Sequence, residues 1–288
     1  MKVLILGANG MFGHVLFDVL SRAGGYDVFG TTRSKHYATQ AKKVSSKIIS
    51  EVDALDFPSV EKALHLIKPD VVVNCIGVIK QQAKGNDPLH LIPTNSLFPH
   101  QLNKSCYSIG CKLVHLSTDC VFSGIKGNYS EFDIPDPIDL YGQSKLLGEV
   151  TSMNSLSVRT SIIGHELKSK HSLLEWFLSQ EGVVKGYTKA IYSGLTTLEL
   201  SIIFRDKILP KAKYTGLYHI AGQRISKYDL LETIAKVYDM QVHFLKDPSL
   251  VIDRSLNGNY FNSLYEYSPP NWDELIKSMR NYDRNEIV

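Results

Sequence analysis

Long hydrophobic runs are missing from this 288-residue chain. Stretches such as Val3–Leu6 and Val71–Val73 are strand-sized, against the roughly 20 apolar residues that a bilayer-spanning helix needs. Cysteine is scarce as well. Cys75, Cys106, Cys111 and Cys120 show neither metal-like spacing nor the density of a disulfide framework. Charge of one sign is also in short supply: 32 basic residues face 29 acidic ones, a net +3. No basic block exists to track a nucleic-acid backbone, which excludes that class of partner. Internal repeats and long linkers are absent. Apolar residues at 43% and charged residues at 21% match ordinary globular usage. The length suits one large or two modest domains. Val3–Leu6 runs straight into Gly7-Ala8-Asn9-Gly10, without the h-region and cleavage site of a secretory signal. The expectation is a soluble, cytoplasmic, metal-free protein with no membrane partner.

What is present is an alternation of strand and helix. Lys2–Leu6 is a short apolar strand ending in glycine. Phe12, Val15, Leu16, Val19 and Leu20 follow at helical spacing until Gly24-Gly25 stops them. Asp27–Thr31 reads as a second strand. Val60, Leu64 and Ile67 mark a helix closed by Pro69. Val71–Cys75 is a fully apolar strand, Leu97, Leu102, Cys106 and Ile109 suggest a helix, and Leu113–Leu116 is again a strand. Continuous rather than alternating apolar strands predict a parallel sheet covered on both faces. After Arg159 the rhythm loosens, with helices expected at Leu173–Leu178, at Leu230–Tyr238 behind a Ser226-x-x-Asp229 cap, and around Leu275-Ile276. The fold class is therefore α/β: a Rossmann-type, doubly wound parallel sheet with a smaller α/β substrate-binding domain. The division falls at residues 1–161 and 162–288, with segments of the second half free to return to the first.

Gly7-Ala8-Asn9-Gly10-Met11-Phe12-Gly13 lies where a dinucleotide phosphate loop belongs, between first strand and first helix. Its glycines permit a tight turn, and the helix N-terminus offers N–H groups and positive dipole to a pyrophosphate. The second strand ends in Thr31-Thr32-Arg33-Ser34, with no acid to bind an adenosine 2′-hydroxyl. Arg33 suits a 2′-phosphate, which favours NADP(H) over NAD(H). Asp56, in Asp56-Phe57-Pro58, is placed either to meet the adenine amine or to cap the helix containing Val60. Tyr141-Gly142-Gln143-Ser144-Lys145 sets a phenol and an ammonium one helical turn apart, where the lysine charge is expected to lower the tyrosine pKa. Such a pair arises about once by chance in a chain of this composition, so its weight comes from its surroundings. Ser117-Thr118-Asp119 falls at the carboxyl end of the strand Leu113–Leu116, the edge where open α/β sheets bind ligands.

Together these residues resemble the extended short-chain dehydrogenase/reductases, specifically the dTDP-4-dehydrorhamnose-reductase-like branch of nucleotide-sugar enzymes. The matching pieces are Gly7–Gly13, Asp56-Phe57, Pro69–Asn74, Ser117–Phe122, Tyr141–Lys145 and Arg159-Thr160-Ser161, in order over the first 161 residues. The resemblance implies that Thr118, Tyr141 and Lys145 are catalytic. It implies that Gly7, Asn9, Gly10, Met11, Phe12 and Gly13 meet the cofactor phosphates, and that Cys75-Ile76-Gly77 lines the nicotinamide side. Asp253-Arg254-Ser255 resembles the segment whose arginine grips the substrate pyrophosphate, a task that suits a guanidinium fork. Two positions depart from the pattern. Ile162 stands where the rhamnose enzymes carry tryptophan, and Val15 where some carry a metal-binding acid. No metal is expected. Lys80-Gln81-Gln82, Trp176 and Tyr192-Ser193-Gly194 are candidates for a different set of sugar contacts, with Trp176 also placed to fill the core.

The expected activity is NADPH-dependent reduction of the 4-keto group of an NDP-4-keto-6-deoxy sugar for surface-polysaccharide synthesis. Lys80, Thr118, Asp119, Tyr141 and Arg254 would face that nucleotide sugar. Ile162 favours a UDP-linked 2-acetamido sugar over dTDP-4-dehydrorhamnose, and a homodimer is left open. A dehydratase needs a second acid where Cys120 stands. An epimerase would hold NAD, which Arg33 opposes. The regulatory subunit of methionine adenosyltransferase resembles these reductases and is a binding partner, but a pure binder has no need of the Thr/Tyr/Lys group.

Overall fold

The computed structural model describes residues 1–35, 47–80, 86–152, 154–167, 172–211 and 215–282. Gln81 and Gln82 lie outside the described residues. Seven strands form the central sheet: β1 (Lys2–Leu6), β2 (Asp27–Thr32), β3 (Ile48–Ser50), β4 (Val71–Asn74), β5 (Lys112–Thr118), β6 (Ser155–Thr160) and β11 (Gly216–His219). Their order is β11-β6-β5-β4-β1-β2-β3, and every neighbouring pair is parallel. Strand order reverses between β1 and β4, which opens a crevice at the carboxyl edge. The pleat divides the core in two. Val3 and Ile5 pack with α1 (Gly13–Ala23) on one face, whereas Leu4 and Leu6 pack with α2 (Phe57–Ile67) and Phe98 on the other. Burial on both faces explains why these strands read as unbroken apolar runs.

The helix expected from Leu97 starts earlier. Helical backbone runs through α3 (Pro88–Leu91), a π-helical turn at Ile92–Leu97, and α4 (Phe98–Ser108). Pro93 has no N–H to give, and the Phe98 N–H reaches back five residues to its carbonyl. A wide turn thus absorbs a proline that would break an ordinary helix. α5 (Leu140–Leu147) carries the Tyr141/Lys145 pair.

Beyond β6 the chain forms smaller pieces and returns once to the main sheet. β7 (Ile162–Ile163) pairs with β10 (Leu195–Thr196), and β8 (Gly182–Tyr187) with β13 (Val242–Asp247). β9 (Ala190–Tyr192) is flanked by β12 (Ile225–Ser226) and β14 (Ile252–Asp253). Helix α6 covers Leu173–Leu178, α7 Thr197–Ile203, α8 Lys227–Tyr238, α9 Asn259–Tyr265 and α10 Trp272–Asn281. α7 packs on α1, and the Phe204 ring just beyond it meets Phe12 edge-on at 5.2 Å. Ser226 caps α8 by accepting from the Asp229 N–H, while the Asp229 carboxylate accepts from the Ser226 hydroxyl. Among the described residues no helix is long and apolar enough to cross a membrane.

Candidate active site at the carboxyl edge of the sheet

The glycine loop folds as a backbone cradle. Gly7 adopts φ +79°, a left-handed conformation that side chains disfavour. A Cβ on Gly13 would stand 2.2 Å from the Gly7 carbonyl oxygen, so the loop and the first turn of α1 touch backbone to backbone. The Ala8 N–H donates to the Thr31 carbonyl at 2.9 Å, tying the loop to β2. No side chain caps α1. Asn9 is exposed, and Gly10 and Met11 are half-buried. Phe12 differs from its neighbours: its ring is buried against Phe204, leaving only backbone to face the loop. Arg33 is exposed directly after β2. The Asp56 side chain is exposed and caps nothing, while Phe57 packs edge-on against Phe98 at 6.2 Å.

Cys75, Ile76 and Gly77 follow β4 as a half-buried turn. Asn74 holds it by accepting from the Ile76 N–H at 3.0 Å, and its own amide is fixed at 3.0 Å by Nδ1 of the buried His115. Asn95, in the π-helical turn, accepts from the Val78 N–H, donates to the Val78 carbonyl and donates to the Ser144 hydroxyl. One amide thereby couples the turn after β4 to α5. Burial pushes the Cys75 thiol up, against the pull of the Lys145 charge.

Thr118, Tyr141 and Lys145 come together where β5 meets α5. The Thr118 hydroxyl lies beside the Tyr141 phenol, donates to Asp119 at 3.0 Å and accepts from the Cys120 N–H at 3.1 Å. Lys145 is buried, and its ammonium donates to the Leu116 carbonyl at 2.5 Å. Burial lowers its pKa to about 8, opposed by the carboxylate of Glu149 and by Cys75. The expected lowering of Tyr141 by this lysine is corrected here. Burial, aided by the nearby Cys120, raises the phenol above its ordinary value, with Thr118 pulling the other way. The lysine is held by Leu116 instead. A phenol raised in this way is protonated at neutral pH, as a proton donor must be, and is a weaker acid than a free phenol until the surroundings ease its release.

Opposite this group stand cations. Lys80 Nζ is 2.5 Å from Asp139 and 5.4 Å from the centre of the Tyr141 ring. Burial alone would raise Asp139, but hydrogen bonds from Lys80 and the Gly142 N–H, with the charges of Lys80 and Arg254, hold it below the usual carboxylate range. Arg254 is not a surface ion pair. Its side chain is 15% exposed, Nε donates to the Phe122 carbonyl at 2.9 Å, Nη1 lies 3.5 Å from Cys120 Sγ, and Nη2 stands 4.0 Å from Asp139. Asp119 is buried at the same rim.

Other candidates fall elsewhere. Trp176 is 41% exposed on α6, which excludes the core reading. Tyr192 is buried with its ring 5.5 Å from Trp272, and the Ser193 hydroxyl is occupied by the Leu256 N–H at 2.8 Å. A Cβ on Gly194 would fall 2.0 Å from the Tyr192 hydroxyl, so this glycine serves packing. Ile162 is half-buried in β7, and Val15 is buried on α1. The sequence reading missed Asn95, His115 and Asp139. Only Asp139 carried a local signal, as an acid one residue before a helix that lacked any other N-cap.

The family described as RmlD substrate binding domain matches residues 1–174. A probable low-salt glycan biosynthesis reductase of Haloferax volcanii is 32% identical over 249 residues, 82% of this chain and 80% of that protein. Methionine adenosyltransferase 2 subunit beta of Mus musculus is 30% identical over 151 residues, 51% of this chain, and the match spans only 41% of the mouse protein. The solved structure of a hypothetical dTDP-4-dehydrorhamnose reductase from Sulfolobus tokodaii superposes with a TM-score of 0.79 at 26% identity, covering 95% of this chain and 98% of that one. A dTDP-4-dehydrorhamnose reductase from Bacillus anthracis, solved in complex with NADP, shares the fold at TM-score 0.79 and 23% identity, covering 97% and 98%.

Proposed function

The chain belongs to the RmlD substrate-binding-domain family, and from that premise we propose that it reduces the 4-keto group of an NDP-4-keto-6-deoxy sugar with NADPH. The observation that carries this reading is the meeting of the Tyr141 phenol, the Thr118 hydroxyl and the Lys145 ammonium at the carboxyl end of β5, facing Lys80 and Arg254. The loop, where Gly7 is left-handed and a side chain on Gly13 would collide with the Gly7 carbonyl, fits a dinucleotide pyrophosphate laid on bare N–H groups. Gly7, Asn9, Gly10, Met11, Gly13 and the Phe12 backbone would hold the phosphates, Arg33 the 2′-phosphate, Asp56 and Phe57 the adenine side, and Cys75–Gly77 with Lys145 the nicotinamide side. When bound, the cofactor supplies hydride. Tyr141 gives the proton of its hydroxyl to the carbonyl oxygen as charge develops there, and Thr118, its one hydroxyl proton turned from Asp119, donates a hydrogen bond to the same oxygen. Lys145, held at the Leu116 carbonyl, would bind the nicotinamide ribose, and Asp119 lines the sugar. Lys80 and Arg254 receive the nucleotide diphosphate side. Residues 1–161 would bind the dinucleotide and residues 162–288 the nucleotide sugar. The product would feed polysaccharide synthesis in the cytoplasm, and Ile162 in place of an aromatic residue favours a UDP-linked 2-acetamido sugar.

The test is NADPH oxidation with UDP-2-acetamido-4-keto-6-deoxy-hexose and with dTDP-4-dehydrorhamnose. One of them should be consumed one for one with NADPH, and Tyr141→Phe should lower turnover by roughly 10²–10⁴-fold while leaving NADPH affinity intact. An NAD-bound epimerase would show no net oxidation. A regulatory subunit, the reading favoured by likeness to methionine adenosyltransferase 2 subunit beta, would bind NADP and turn over neither sugar.

A further inference from the structure

Resting on that reading, we infer that Lys227 is a substrate ligand, an ammonium that pairs with Arg254 to clasp the diphosphate of the nucleotide sugar. The topology delivers both residues to one place. Lys227 follows β12 and Arg254 follows β14, the two strands that flank β9. The groups that act electrically on Lys227 are Asp119, Cys120 and Arg254, all belonging to the rim of the site described above. Arg254 itself reaches Cys120 at 3.5 Å, so the two cations share a neighbour.

As a structural residue Lys227 would be badly placed. It is the first residue of α8, where the helix dipole favours acids, and the opposite end of the helix is where a cation gains. It lies close to a second fixed cation, and no hydrogen bond or ion pair among the described residues receives its ammonium. A surface lysine in that position would extend its stem to water. This one is half-buried, and the loss of water lowers its pKa. Three cations, Lys80, Arg254 and Lys227, therefore face two carboxylates, Asp119 and Asp139, before any substrate arrives. The diphosphate of a nucleotide sugar carries two negative charges at neutral pH. Such a dianion supplies the acceptors that Lys227 lacks and offsets the excess of positive charge. Arg254 presents a planar fork and Lys227 a compact point charge, complementary means of holding two linked phosphates.

The experiment titrates UDP and dTDP calorimetrically into the NADP-loaded protein, as wild type, Lys227→Met and Lys227→Arg. Lys227→Met should weaken the preferred nucleoside diphosphate by roughly tenfold or more, the change expected when one charge-assisted hydrogen bond is lost. Lys227→Arg should recover most of that loss, and NADPH affinity should be the same in all three proteins. Undiminished binding by Lys227→Met overturns the inference while leaving the reductase reading standing. A loss shared by NADPH, or one that arginine does not rescue, also overturns it, because either marks a structural role. If wild type binds neither diphosphate, the nucleotide-sugar reading itself falls and takes the inference with it.

Discussion

Arg159 and Glu149 form a buried two-pronged ion pair: Nε meets Oε1 and Nη2 meets Oε2, each at 2.7 Å, with both side chains under a tenth exposed. Glu149 also accepts from the Ser117 hydroxyl at 2.7 Å, one residue before Thr118. The pair thus joins β6 to the segment after α5, beside the strand end that presents the candidate catalytic hydroxyl. Removing one partner strands the other charge in the core. Glu149→Ala should cost about 3–5 kcal/mol of stability, read from urea unfolding. A loss below about 1 kcal/mol, the range of exposed pairs, would show that water reaches the arginine.

The same guanidinium determines the state of His219. Nη1 of Arg159 donates to Nε2 at 3.3 Å, which leaves Nδ1 to donate to the Tyr129 carbonyl at 3.0 Å. Burial, then the arginine charge, lowers this imidazole to about 3, and burial with the Lys145 charge holds His115 well below its ordinary value. The unfolded chain takes up protons on these rings near pH 6.5 and the native fold does not. Stability should therefore fall as pH drops below about 6.5, by about 2 kcal/mol at pH 5 from His219, with His115 acting in the same direction. His219→Gln removes one of these rings. Its unfolding free energy should decline less between pH 7 and pH 5 than that of wild type, and parallel declines would contradict the assignment.

Arg33 tests the choice of cofactor. It is exposed at the end of β2, where its charge can reach a ribose substituent without disturbing the core. Arg33→Ala should weaken NADPH by roughly tenfold or more and NADH far less, since only NADPH carries the 2′-phosphate. Equal losses in fluorescence titrations would make Arg33 a solvated loop residue and revive the NAD-bound epimerase.

The parts of this account that were legible in the sequence are local in the chain. Gly7–Gly13 is a strand-to-helix turn, and Tyr141 and Lys145 sit one turn apart on a single helix, so a window of a few residues contains each signal. Lys227, Asn95 and His115 gave none, because their meaning lies in neighbours distant in sequence. His115 becomes interpretable only when β4 and β5 pair and bring Asn74 to its ring. Arg254 is anchored to a carbonyl 132 residues away. Phe12 carries two signals at once, a place in the phosphate loop and the first position of the apolar stripe of α1, and only its partner Phe204 is distant in the chain. The lysine–tyrosine coupling was misread because spacing fixes which face two side chains share and says nothing about the carbonyl of Leu116, which takes the lysine instead.

The central claim is hydride delivery to C4 of a keto-sugar with Tyr141 as the proton donor, and isotope transfer tests it most directly. NADPH carrying deuterium on the transferring face of C4 would be incubated with UDP-2-acetamido-4-keto-6-deoxy-hexose or dTDP-4-dehydrorhamnose, and the sugar product analysed by mass and by proton NMR. The account predicts one deuterium at sugar C4 for each NADPH oxidised, with transfer almost abolished in Tyr141→Phe. Sugar product without deuterium, full transfer in the phenylalanine variant, or unchanged NADPH with both sugars would contradict it.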